Sequence, residues 1–157
     1  MLELMNEPAW KKFIGDHAID STDKALEYIE NKIISMYRKF GFGLWMVEYS
    51  DSNVPIGICG LIKRDSLEHI DLGFGFLSNY WSRGFAYEAS FVCMDYAFKD
   101  HGVNKLLAIT SSSNLRSIRT LEKLSFSFNS DYSHPGSKDI LSLYQCEKSI
   151  WARNRSR

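Results

Sequence analysis

The sequence predicts one α/β domain, a mixed β-sheet with helices packed on it, and three observations carry that prediction. The chain has 157 residues and 45% hydrophobic content, enough for a single core that buries about 68–70% of the unfolded surface. Two apolar runs, "GLWMVEYS" and "IGICGLIK", are joined by the turn "DSNVP" and read as a hairpin. After them the pattern alternates strand, helix, strand, helix, strand. No repeat, low-complexity tract or Pro/Gly-rich linker divides residues 1–157.

The first periodic element is "STDKALEYIENKIISMYRKFG", where Leu26, Ile29, Ile33, Tyr37 and Phe40 recur at helical spacing between polar starters and Gly41. The hairpin follows. In "HIDLGFGFLS", Ile70, Leu72, Phe74 and Phe76 alternate onto one strand face and leave Asp71, Gly73 and Gly75 on the other, an uncovered backbone along which a thin ligand can lie. Residues 84–100 form a helix with Phe85, Ala89, Val92, Cys93, Tyr96 and Ala97 on its stripe. "VNKLLAIT" is a buried strand, and "NLRSIRTLEKL" a helix capped by Ser113 or Asn114. "FSF", the polar loop "NSDYSHPGSKD" and the strand "ILSLYQCEK" complete the fold, and residues 152–157 read as a frayed basic tail.

Composition excludes several function classes. Nineteen basic and nineteen acidic residues cancel, so the balance points to neither nucleic acid nor an acidic membrane. Cys59, Cys93 and Cys146 are odd in number and form no Cys-x-x-Cys, which implies a reducing, cytoplasmic setting without disulfides. The four histidines show no paired spacing, so no metal site is expected. Cys59 and Cys93 read as small core residues. No leader pattern opens the chain and no apolar run reaches the ~18 residues that span a bilayer.

The stretch "NYWSRGFAYEAS" carries the chemistry. A strand that turns directly into a helix leaves the first helical N–H groups unpaired, and the helix dipole there favours an anion. Gly84 removes the Cβ from the approach, Ala86 keeps the first turn slim, and Arg83 adds a charge-assisted bond. A plain turn is the alternative. "GFGFLS" lacks the third glycine of a dinucleotide fingerprint and lies inside a strand, and no Gly-Lys-Ser/Thr loop occurs.

"YWSRGFAYEAS" resembles the Arg/Gln-x-x-Gly-x-Gly/Ala motif of the GNAT N-acetyltransferases, in the Trp-led form of the ribosomal-protein N-terminal (alanine) acetyltransferase branch. "NLRSIRTLEKLSF" is similar to that family's Asn-x-x-Ser helix. The resemblance runs over roughly residues 6–148 and implies the GNAT acyl-CoA N-acyltransferase fold, lacking its usual first strand, with acetyl-CoA as co-substrate. It implies that the backbone from Trp81 through Ser82, Arg83, Gly84 and Phe85 to Ala86 holds the pyrophosphate. By the same resemblance, main-chain groups of Phe76 and Leu77 bind the pantetheine arm, Asn114 contacts the arm, and Ser117 protonates the departing thiolate or is simply a helix-surface serine. Ser82 and Ser125 stand where relatives often have glycine. With the first strand missing, "GLWMVEYS" becomes a sheet edge, which predicts a homodimer.

Acetylation needs a neutral amine. An α-amino group is roughly one-sixth neutral at pH 7, a lysine-like amine about one part in 2,500, so a base matters far more for the second. Asp71 matches the acidic position of related strands and is the candidate base, against the alternative that it pairs with a neighbouring strand. Glu68 and Tyr144 are lesser candidates. The reading is an N-acetyltransferase passing acetyl directly to a primary amine, a protein N-terminus or a small molecule. Its rivals are a CoA-binding module without transfer activity and an interaction protein that uses its sheet edge.

Overall fold

The computed structural model describes residues 1–155. Two short helices, α1 (Leu2–Asn6) and α2 (Pro8–Phe13), precede a helical run made of α3 (Thr22–Tyr28), a π-helical segment (Ile29–Ile34) and α4 (Ser35–Phe40). Strands β1 (Leu44–Tyr49), β2 (Val54–Ile62) and β3 (Asp71–Phe76) follow, then α5 (Phe85–Lys99), β4 (Lys105–Thr110), α6 (Leu115–Lys123), β5 (Ser127–Ser133), β6 (Ile140–Glu147) and α7 (Lys148–Arg155). The six strands form one sheet in the order β1-β2-β3-β4-β6-β5. Every neighbouring pair is antiparallel except β3 and β4.

The larger core lies between the sheet and α5, α6 and α7, where Leu61, Leu72, Met94, Phe98, Leu106, Leu121 and Trp151 pack together. On the opposite face Leu4, Met5 and Trp10 of the first two helices close over Ile58. The expected hairpin is present: Trp45 pairs with Cys59, and the ladder shifts between Val47 and Glu48.

Several expectations are corrected. The first long helix is interrupted by a π segment. Ala25, Ile29, Ile33 and Tyr37 are spaced four apart, more than an α-helix holds on one face, and wider turns keep them aligned. Ala25 is buried there and Leu26 is exposed. On α5, Val92 is exposed and the buried positions include Ser90, Met94 and Phe98, because the helix is rotated toward the sheet. The first five residues of the loop "NSDYSHPGSKD" are strand: β5 runs to Ser133 at the sheet edge, exposed along nearly its whole length, so it carries no alternating pattern to betray it. The tail is helical through Arg155, with Asn154 Nδ2 donating to Ser125 Oγ at 2.9 Å; residues 156 and 157 lie outside the described residues.

The glycine face of β3 is not open. A Cβ on Gly75 would lie 2.6 Å from Trp10 Cζ3. Glycine there admits the indole rather than a ligand. Among the described residues no helix is long and apolar enough to cross a membrane.

Candidate active site

The site is built by a separation of strands. Leu107 N–H donates to Ile70 O at 2.9 Å, and Asp71 pairs with Leu107, the one paired position between β3 and β4. Beyond it the strands diverge into a cleft of about 460 Å³. Phe74, Gly75 and Phe76 form one wall, Ile109 and Thr110 another, α6 a third, and Trp10, Phe13 and Ile14 the lid of the glycine face.

At the wide end stands the start of α5. Gly84 is its N-cap, left-handed at φ 91°, with no side-chain cap on the helix and no atom within 4 Å of where a Cβ would sit. The first amides of α5 therefore face open space with the dipole behind them. Ser82 is also left-handed, at φ 59°. That is the conformation glycine favours, which explains why a glycine suits this position.

Of the residues predicted from sequence, Phe76, Trp81, Ser82, Gly84, Phe85, Ala86, Asn114 and Ser117 all line this cleft. Leu77 and Arg83 do not. Leu77 N–H donates to Ile56 O at 2.9 Å and is committed to the sheet. Ladder alternation then turns the N–H and C=O of Phe76 away from β2 and toward the cleft, where the Phe76 carbonyl accepts from Trp81 Nε1 at 2.8 Å. Arg83 lies over three rings, 5.6 Å from Tyr49, 5.7 Å from Tyr80 and 5.1 Å from Phe85, a cation–π seat that holds it out of the cleft. Asn114 is the cap of α6, accepting from Ser117 N–H at 3.3 Å through Oδ1.

Asp71 adopts the pairing alternative. It is 1% exposed, and Arg64 Nε donates to both carboxylate oxygens at 3.1 Å. Burial pushes its pKa up to about 6 against the opposing pull of Arg64. It stands at the closed end of the cleft, about 16 Å along the strand from Phe76 at ~3.3 Å per residue. Glu68 is exposed beside His69, and Tyr144 is buried in the core, edge-on to Phe128; neither lines the cleft.

Sequence reading missed a cationic wall. Arg116, Arg119 and Lys123 of α6 line the cleft, at a three-and-four spacing that a helical projection of its polar face would have flagged. The Arg116 guanidinium stacks 4.4 Å from the Trp81 ring. It also missed Trp10, whose buried Nε1 has no hydrogen-bond partner, an orphan donor in the cleft wall. Glu7 was missed too; its Oε1 accepts from Ser78 N–H and Oγ at 3.2 and 3.1 Å.

The sequence model of the acetyltransferase (GNAT) domain matches residues 1–127. The chain belongs to the GNAT acetyltransferase family. A curated relative, YkkB of Bacillus subtilis, is 28% identical over 92 residues, 57% of this chain and 54% of that protein. The match thus spans about half of that relative's length. Among solved structures, an aminoglycoside acetyltransferase in complex with coenzyme A aligns at a TM-score of 0.76 and 16% identity, covering 98% of this chain and 91% of that one. A ribosomal-protein-S5-alanine acetyltransferase from Vibrio fischeri aligns at 0.72 and 16%, covering 96% and 88%. At such identity the two establish a shared GNAT fold. Among the described residues of this acetyltransferase domain, no group of three or more His, Cys, Asp or Glu side chains is placed to hold a metal ion.

Proposed function

We propose that this chain acts as one domain, an acetyl-CoA-dependent N-acetyltransferase that moves the acetyl group directly onto a primary amine. The observation that carries this is the Gly84 corner: an uncapped helix start beside a cleft walled by Arg116, Arg119 and Lys123. Backbone from Trp81 to Ala86, without the Arg83 side chain, receives the pyrophosphate. The outward amide and carbonyl of Phe76 order the arm along β3, and Asn114 borders it. The thioester then lies toward the narrow end.

The acceptor nitrogen attacks the thioester carbonyl and the C–S bond breaks. Ser117, on the α6 wall, gives the leaving thiolate its proton, and the acceptor's surplus proton passes to water. Asp71 serves as the partner of Arg64 that holds the β2–β3 connection, not as a base in direct contact. The solved neighbour that acts on an aminoglycoside shows the fold to be compatible with amine acceptors; an amine-containing small molecule or a protein N-terminus fits the same chemistry. Thiol release from acetyl-CoA across an amine and peptide panel tests the proposal. Coenzyme A binding without release by any acceptor would favour a binding module instead.

The outer edge of β1 has no partner strand among the described residues, and Met46 on it is 60% exposed. That edge supports a homodimer, tested by sedimentation, where a monomer at high concentration would remove it. Three free thiols fit a cytoplasmic setting.

A further inference from the structure

We propose that Cys59 and Cys93 form an oxidation site, a dithiol that hydrogen peroxide closes into a disulfide tying α5 to β2. The inference stands apart from acetyl transfer. Cys59 sits on β2 and Cys93 on α5, with their sulfurs 3.6 Å apart. A disulfide needs about 2.05 Å, so the sulfurs must close a gap of about 1.5 Å. Both residues form the floor of a second groove, about 630 Å³, between β1 and α5. Peroxide, scarcely larger than water, enters by that groove. The remaining cysteine, Cys146, instead contacts the carbonyls of Leu124 and Glu147.

The pair is chemically asymmetric. When Cys93 ionises, the S–H of Cys59 donates to its thiolate, which lowers the pKa of Cys93 and raises that of Cys59 well above its ordinary value. Ser90 Oγ lies 3.5 Å from Cys59 Sγ as a further polar neighbour. Burial pushes Cys146 up to about 12. Thiolate is the reactive form, so Cys93 attacks first. Its sulfur displaces hydroxide from the peroxide O–O bond, and the hydroxide takes a proton to become water. The resulting sulfenic acid is attacked by Cys59 sulfur, its S–O bond breaks, and a second water leaves. Two thiols and one hydrogen peroxide become one disulfide and two waters.

The experiment treats the full chain with a small molar excess of hydrogen peroxide, then reads intact mass and non-reducing peptide maps. The expected result is the loss of two hydrogens, a linked peptide pair containing Cys59 and Cys93, Cys146 still alkylatable, and full reversal by dithiothreitol. Cys146→Ala should keep the link, and Cys59→Ala should abolish it and, with the donor to the Cys93 thiolate gone, slow the oxidation of Cys93. Three unmodified thiols after treatment, or a link involving Cys146 or a second chain, would overturn the proposal. The wild-type map decides the matter even if a cysteine variant fails to fold.

Discussion

Burying Asp71 makes its titration a measurable part of folding. Desolvation is the larger influence on it and Arg64 the opposing one, and together they move its pKa from 3.8 to about 6. At ~1.36 kcal/mol per unit, a raised acid of this kind costs the folded state about 3 kcal/mol when fully ionised. The sign follows from the direction: the folded state binds the proton more tightly, so this contribution is complete below the unfolded value and is lost as pH rises through the folded one. Between about pH 7.5 and about pH 4.5 roughly 2 kcal/mol of it should be regained. Asp71→Asn removes the titration, and Arg64 is partly exposed, so water can serve the guanidinium. Urea unfolding of both proteins at the two pH values gives the difference profile, in which all groups other than Asp71 cancel. Wild type should gain about 2 kcal/mol relative to Asp71→Asn on acidification. Parallel profiles, or a gain by the variant instead, would refute the claim that desolvation outweighs Arg64.

Three predictions bear on the cleft. Gly84→Ala puts a Cβ where φ is 91° and the space is open; the turn then relaxes in the free protein and the left-handed penalty of about 1–2 kcal/mol is paid on binding, which should lower coenzyme A affinity by roughly 5- to 30-fold in calorimetry, and unchanged affinity would place the anion elsewhere. Ser117→Ala should lower kcat by about 10²-fold while coenzyme A affinity stays within about twofold; equal loss in both would make Ser117 a binding residue. Arg116→Gln with Arg119→Gln should weaken coenzyme A about tenfold at low salt and converge on wild type at high salt, as screened charge–phosphate attraction requires. A salt-independent loss would instead point to the stacking of Arg116 on Trp81.

The fold was legible wherever burial imposed a period. β1 and β2 announced themselves through their apolar runs and intervening turn, α5 through its stripe and α6 through its cap. What escaped was decided by contacts distant in sequence. β5 is exposed along nearly its whole length because it closes the sheet edge, and Val92 looked like core until the rotation of α5 was known. The site divides in the same way. Gly84 could be placed because the turn it makes is written in adjacent residues, while Asn114 and Ser117 were placed by the resemblance of their helix to the family's. Arg83 was misplaced because its aromatic seat joins Tyr49 on β1 to Tyr80 and Phe85, which no local window shows. Asp71 was open between base and partner until Arg64, on the far side of the β2–β3 connection, met it.

Trp10 is the instance with the sharpest consequence. Its indole covers Gly75 and lines the cleft, yet its N–H is buried without an acceptor. An unsatisfied buried donor costs about 1–3 kcal/mol, a burden that becomes intelligible if a ligand carbonyl supplies the missing bond. Trp10→Phe keeps an aromatic ring at this position but deletes the N–H together with part of the fused ring that covers Gly75. If the N–H meets the bound co-substrate or the acceptor, the variant should lose the net value of one hydrogen bond, about 0.5–1.5 kcal/mol or roughly 2- to 10-fold in affinity. Calorimetry with acetyl-CoA and KM for the acceptor would show which ligand is affected. Affinity and KM both equal to wild type would mean that the donor is satisfied by neither, and that the indole is there for its shape alone.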